Sequence, residues 1–483
     1  MAASQAEHGL ERNAVGLTET LFQSITHMAP AVATALSIGA ATGFAGGNTP
    51  LAVVLALVAC LFTAYSIGEL SRHLPSAGGM YTYVGRGLGK SFGWLMAWAF
   101  ALAEPLVPPA LFAAFGLFGA GLITTLTGFS SDYLWIVLAV VCAAIVWWLV
   151  YRGVKVSTDV GVVLGVIEIA IFVVVALLLI VNAGDRNTAS VFVPKDGNLL
   201  PAFQGMVFCL LAFVGFEAAA PLGEEARDPK KTVRQAVILS TILIGAFYVF
   251  NYYAATVFFG PDRMAAEFYT FNNGDPWGAM AEDVLPGLGG LLITFAILNS
   301  SVANANSGAT ASTRSLFAMG RAGLLPRWFA SIHPTHRTPI NAVNAQTVVG
   351  VALVVGIGLW LENSPLNVYI FIGYTLGLLF AAMYIAVNAA AIGYFWRTRR
   401  DEFNVVKHLV VPVLGMLAMV PAFLSVLGGV NLFGIDLPPL SGYLVYVPPL
   451  VLGWMIIGVV LYVWLRSSRP EALERVGEVM GES

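Results

Sequence analysis

Ser24-Ile25-Thr26-His27-Met28-Ala29-Pro30-Ala31-Val32-Ala33-Thr34 and Phe213-Val214-Gly215-Phe216-Glu217-Ala218-Ala219-Ala220-Pro221 each interrupt a run of residues otherwise apolar enough to cross a bilayer. Pro30 cannot donate to a helical ladder and clashes with the preceding turn. Polar residues crowd the same stretch, and the second stretch sets a glycine and an acid near mid-depth. Backbone facing lipid must be fully hydrogen-bonded, so helix breakers at this depth line a cavity. For either stretch alone, a simple kink is the bland alternative.

Working outward, a membrane helix needs about 20 predominantly apolar residues. Twelve such runs follow: 20–44, 50–71, 93–122, 132–151, 156–182, 199–222, 233–259, 286–312, 341–361, 366–394, 409–430 and 442–465. The two interrupted runs are the first and the sixth, so each leads a set of five. That is the relation of an inverted repeat in which both halves give a discontinuous helix to a midplane site. The expected fold is therefore an all-α polytopic membrane protein with 12 transmembrane helices, divided into a tail (1–19), a first five-helix repeat (20–182), a second, inverted five-helix repeat (199–394), helices 11 and 12 (409–465) and a second tail (466–483). The first nineteen residues lack the apolar core and cleavage site of a secretory signal, so the first span should persist in the mature protein.

The basic residues test this map. Of 24 Lys and Arg, all but Arg186, Lys195 and Arg263 fall in the segments that are cytoplasmic if the N-terminus is cytoplasmic. That bias has the sense of the positive-inside rule and places both termini in the cytoplasm.

Composition excludes other classes. Of the 483 residues 58% are hydrophobic and 11% charged, whereas soluble domains run near 25% charged. A soluble multi-domain protein, a disordered chain and a nucleic-acid binder are all ruled out, and a net charge of -3 leaves no basic surface for phosphates. Cys60, Cys142 and Cys209 lie in apolar runs, which suits neither disulfides nor a thiolate metal site. The six histidines lack the close pairing of a zinc enzyme. No cofactor or metal is expected. The expected partners are a small-molecule substrate and the lipid bilayer, with no nucleic acid; oligomeric state is not legible. A polytopic membrane enzyme would need clustered catalytic groups, but the longest loops, 183–198 and 260–285, hold acids without histidine partners or an Asp-x-Asp pair. A channel would need a pore-ring signature rather than two asymmetric broken helices.

Three motifs resemble one family. Phe213 to Glu217 followed by Gly223-Glu224-Glu225-Ala226-Arg227-Asp228-Pro229-Lys230-Lys231 is similar to the span 6 signature of the amino acid-polyamine-organocation transporters. Ser315-Leu316-Phe317-Ala318-Met319-Gly320-Arg321-Ala322-Gly323-Leu324-Leu325-Pro326, with His333-Pro334 and Thr338-Pro339 after it, resembles their span 8 exit. Gly68-Glu69-Leu70-Ser71-Arg72 and Pro75-Ser76-Ala77-Gly78-Gly79-Met80-Tyr81 resemble their span 2–3 segment. The resemblance implies a LeuT-type 5+5 inverted repeat with broken helices 1 and 6. It also implies a substrate site in which the free amides of Ala31, Val32 and Ala33 meet a carboxylate, as a helix N-terminus favours. The carbonyls of Phe213 and Val214, beside Gly215, would take an ammonium, with Phe213 or Phe216 as a lid. Here Ala29-Pro30-Ala31 replaces the family's Gly-rich, Ser-containing turn, and Pro30 removes one amide.

Glu104, Glu168 and Glu217 fall inside spans. A charge at mid-bilayer costs roughly 2.5–3.5 kcal/mol on insertion scales, so each must face a wet cavity, pair with a donor or hold a proton. All three are candidates for proton coupling. For Glu217 the alternative is a hydrogen-bonded packing acid. Glu168 aligns with a span 5 position where some relatives carry a lysine; it either exchanges protons or anchors span 1. Glu104 either faces a cationic substrate group or packs. His27 either relays protons or is a satisfied interior histidine. In span 8, residues 300, 304, 307 and 311 share one helical face, so Asn304 and Ser307 either line the substrate path or glue helices together. Glu224 to Arg234 are loop charges, or gate contacts by the resemblance, and Pro470 to Ser483 read as an exposed tail.

The expected activity is secondary active transport of an amino acid or related amine across the cytoplasmic membrane by alternating access. Proton symport is the first expectation, amino acid or amine exchange the second, and sodium coupling the third. Neutral amino acids, cationic amino acids and polyamines all remain open as substrates.

Overall fold

The computed structural model describes residues 10–432, 435–437 and 439–476. The expected tail residues 1–9 and 477–483 lie outside the described residues. Apolar runs become long helices where nothing interrupts them. They are α1 (Leu17–His27), α2 (Thr49–His73), α3 (Lys90–Thr127), α4 (Leu134–Tyr151), α5 (Val154–Ala183), α6 (Leu200–Ala212), α7 (Pro229–Phe259), α8 (Gly289–Ala322), α9 (Ile340–Trp360), α10 (Pro365–Arg397), α11 (Val411–Leu427) and α12 (Val447–Ser468). Shorter helical turns link them, among them Met80–Leu88, which the sequence reading left as loop. Between α11 and α12 the short strands β1 (Val430–Leu432) and β2 (Ile435–Leu437) pair antiparallel, a small departure from the all-α expectation.

Among the described residues ten helical stretches are long and apolar enough to cross a membrane, so this is a helical, multi-pass membrane protein. The expected runs 20–44 and 286–312 are not among the ten as such, for two different reasons. The first is cut, its helix stopping at His27 and restarting at Pro30. The second is unbroken and 34 residues long, but its run from Asn299 to Arg314 is too polar.

Burial sorts the helices into layers. Within the apolar window of Leu200–Glu224, 83% of residues are buried, against 17% in Gly442–Ser468. The interrupted sixth segment is therefore central, and α12 peripheral with Val460, Val463 and Trp464 exposed. Small residues let the central helices approach. A Cβ on Gly308 of α8 would lie 2.7 Å from Val107 of α3, and one on Gly245 of α7 would strike Leu57 of α2. Outside the membrane, the carboxylate of Glu282 accepts the amides of Gly287 and Gly290 before and within the first turn of α8. Those two amides hold its carboxyl below the usual carboxylate range.

The described parts of both tails are packed more tightly than expected. Val15 forms a parallel bridge to Ala226 and is fully buried. The tail read as exposed from Pro470 onward is corrected: Pro470–Glu474 is a helical turn, and Ala472, Leu473 and Val476 are buried in the core. Its few apolar residues suffice because they share one side of a single turn and meet α3, where Val476 lies against Gly93.

Candidate functional site

The first break begins where α1 ends at His27. Ala29 adopts a left-handed conformation at φ 47°, which strains an alanine by about 1 kcal/mol or more. Pro30 then restarts the helix at the position where a missing N–H costs nothing. The carbonyls freed by the break find side-chain donors, Asn304 on His27 and the Tyr248 hydroxyl on Met28 at 2.7 Å. The three amides expected to be free are all bonded. Ala31 donates to Glu168 Oε2 at 3.1 Å, Val32 to Ser300 Oγ at 3.4 Å and Ala33 to the Ala29 carbonyl at 2.7 Å. Glu168 thus makes the anchoring contact to span 1.

The second break follows α6. Gly215 has φ 118°, and a Cβ there would run into the His27 side chain and backbone, so glycine is required twice over. The chain restarts as tight 3₁₀ turns over Phe216–Glu224. The Tyr248 hydroxyl also reaches the Ala212 carbonyl at 3.0 Å. Ser24 of α1 donates to the Phe216 carbonyl at 2.8 Å and accepts from the Ala219 amide at 3.1 Å. The first half of one broken segment therefore supports the second half of the other.

Between the breaks lie three titratable side chains from three elements, His27, Glu104 and Glu217. All are buried, and their ligand-type atoms lie within 4.8 Å of one another. Glu217 Oε2 accepts from the Tyr384 hydroxyl at 2.6 Å and from the Gly215 amide at 3.1 Å. Four atoms of the trio have no hydrogen-bond partner among the described residues: His27 Nε2, both Glu104 oxygens and Glu217 Oε1.

The hydrogen-bond network assigns the imidazole tautomer. Ser307 Oγ donates its one hydrogen to the Gln23 carbonyl at 2.7 Å, so toward His27 Nδ1, 3.2 Å away, it can only accept. Nδ1 is then protonated. In a neutral ring Nε2 presents a lone pair to Glu104 Oε2 at 3.7 Å.

A cavity of about 320 Å³ adjoins this trio, at the low end of the roughly 300–1,000 Å³ range of small-molecule sites. Of the residues singled out in the sequence, His27, Ala29, Ala33, Val214 and Asn304 line it. Pro30, Ala31, Val32, Phe213, Gly215, Phe216, Ser307, Glu104, Glu168 and Glu217 do not line it. Phe213 packs edge-on against Tyr248 at 5.4 Å and Phe216 stacks on Tyr384 at 5.0 Å, so both are packing residues here rather than a lid. Sequence reasoning missed Tyr248 and Tyr384. The available signal was a phenol inside an apolar span, whose hydroxyl must find a partner.

At the end of the bundle where α8 leaves, acids and bases are matched. Arg314 holds Glu225 through two bonds of 3.1 and 3.3 Å with both groups fully buried, and Arg321 holds Glu224 through bonds of 2.8 and 2.6 Å.

Residues 16–462 match the model of a single family, described as amino acid permease. The chain belongs to the amino acid permease family. Among its relatives are the low-affinity putrescine importer of Escherichia coli K12, 24% identical over 400 residues (79% of this chain, 82% of the relative), and the branched-chain amino acid permease of Bacillus subtilis, 26% identical over 365 residues (71% and 74%). The methylthioribose transporter of Bacillus subtilis is 28% identical over 321 residues (62% and 66%). This permease is accordingly a transport protein and not an enzyme, and its relatives carry amines, amino acids and a thioribose.

Proposed function

We propose that this permease is a proton-coupled symporter of an amino acid or related amine in the cytoplasmic membrane. In this reading it has twelve spans, a LeuT-type 5+5 inverted repeat and both termini in the cytoplasm. The observation that carries the reading is the His27–Glu104–Glu217 trio, buried at the wall of the cavity between two interrupted helices with four atoms unpartnered. A buried carboxylate without a partner is costly, so these groups are poised to take up a proton or a cation. Tyr384 and Asn304, which line the cavity and bond Glu217 and the His27 carbonyl respectively, link its contents to the trio. A substrate entering the cavity changes the partners of the group that holds the proton, and this gives the coupling. The Glu224–Arg321 and Glu225–Arg314 pairs form the closed cytoplasmic gate.

The test is uptake of labelled amino acids and amines into sodium-free liposomes, with and without an inward proton gradient. Accumulation that a protonophore abolishes is the expected result. Uptake only into liposomes preloaded with unlabelled substrate would replace symport by exchange.

A further inference from the structure

Resting on that transporter reading, we propose that the substrate is an amine without a carboxylate, and that Glu168 occupies the place a substrate carboxylate would take.

The Ala31 amide at the restart of the first span is bonded at 3.1 Å to Glu168, a fully buried acid of α5. The next two amides are bonded to Ser300 and to Ala29. The donors that a broken helix offers to an anion are therefore spent on the chain's own groups. Seating a second carboxylate there would break the Ala31 bond and bring it against Glu168, whose Oε1 already lacks a donor.

Neither lysine nor arginine lines the cavity; its one basic side chain, His27, is turned by Nδ1 to Ser307 and by Nε2 toward Glu104. What it and its surroundings do offer are unsatisfied acceptors. Asn304 Oδ1 in the wall has no partner among the described residues, and neither do the Glu104 oxygens and Glu217 Oε1. Buried acceptors in this state favour a donor-rich, positively charged head. The remaining wall is mostly apolar, with Leu111, Leu211 and Ile370 among its residues, and suits an alkyl chain. An ammonium on an alkyl body matches this inventory. An amino acid finds for its carboxylate only neutral hydroxyls, such as those of Tyr269 and Tyr374, and no lysine or arginine.

The experiment uses the full-length protein in sodium-free liposomes under an inward proton gradient, with three matched pairs: putrescine and ornithine, cadaverine and lysine, isoamylamine and leucine. Members of a pair differ only by the carboxyl group. The expected result is accumulation of at least one amine, with its parent amino acid competing about tenfold or more weakly, as when buried polar groups are left unpaired. In Glu168→Ala the Ala31 amide is released and the ratio falls toward one. Glu168→Gln retains an acceptor for Ala31 and gives an intermediate ratio, and thermal unfolding of both variants in detergent controls for folding. Parent amino acids taken up as well as their amines would overturn the inference while leaving the transporter reading intact. An unchanged ratio in both variants, with amine uptake intact, would overturn the role of Glu168. Uptake of neither series would overturn the transporter reading and this inference with it.

Discussion

Glu217 and Glu225 sit on the same short stretch of chain and are equally buried, each about 1% exposed, yet their surroundings are opposite. Glu225 has both oxygens matched by one arginine. Glu217 has a phenol and an amide on one oxygen and nothing on the other. Burial alone therefore does not tell a working acid from a structural one. What separates them is whether the charge is matched within the chain. A matched pair closes the packing at one end of the bundle, whereas the unmatched acid keeps one oxygen without a donor, the feature on which the proposed coupling rests.

The sharpest way to break this contrast is Glu217→Gln. Accumulation driven by a proton gradient should fall to the level of a protonophore-treated control while some substrate binding survives; retention of accumulation would remove Glu217 from the coupling. Next comes Arg314→Met, which strands Glu225 and should cost about 3–5 kcal/mol of stability, as for other buried pairs left half-occupied. Thermal unfolding in detergent reads this, and adding Glu225→Leu should recover part of the loss. If Arg314→Met instead melts like wild type, the matched end is not structural. Tyr384→Phe removes one hydrogen bond to an acid and should lower uptake by about tenfold, corresponding to roughly 1.5 kcal/mol. Its pH profile should move with it, which simple loss of packing would not cause.

The smallest effect lies outside the membrane. The carboxyl of Glu282 is held below its ordinary value by two amides, so its stabilisation is present above the unfolded carboxyl pKa and is lost as pH falls through the folded one. Glu282→Gln should melt slightly earlier at pH 7, and the gap to wild type should close below about pH 4.

The sequence made the breaks legible because their causes are local. Pro30 and Gly215 impose their conformations whatever surrounds them. The acids were visible too, since any carboxyl inside an apolar run needs an explanation. Their partners were not visible. Ala31 and Glu168 are 137 positions apart, and Tyr384 reaches Glu217 across 167. No periodicity reports which of many phenols or acids will meet across such distances. The free amides of Ala31 to Ala33 were a fair expectation from the broken helix, and a single acid on another helix changed their state. The polar run in α8 was legible as a run, but only the fold shows what it does. Ser300, Asn304 and Ser307 all bond the first broken segment, and Asn304 alone of the three also faces the cavity.

Tyr248 lies within 2.7 Å of the Met28 carbonyl and 3.0 Å of the Ala212 carbonyl, one from each interrupted segment. A hydroxyl owns a single hydrogen. It can satisfy one of those carbonyls fully only by shortchanging the other, so the two segments compete for one proton that belongs to neither. Whichever segment loses becomes the one more easily prised away, and the side chain acts as a latch with one bolt and two strike plates.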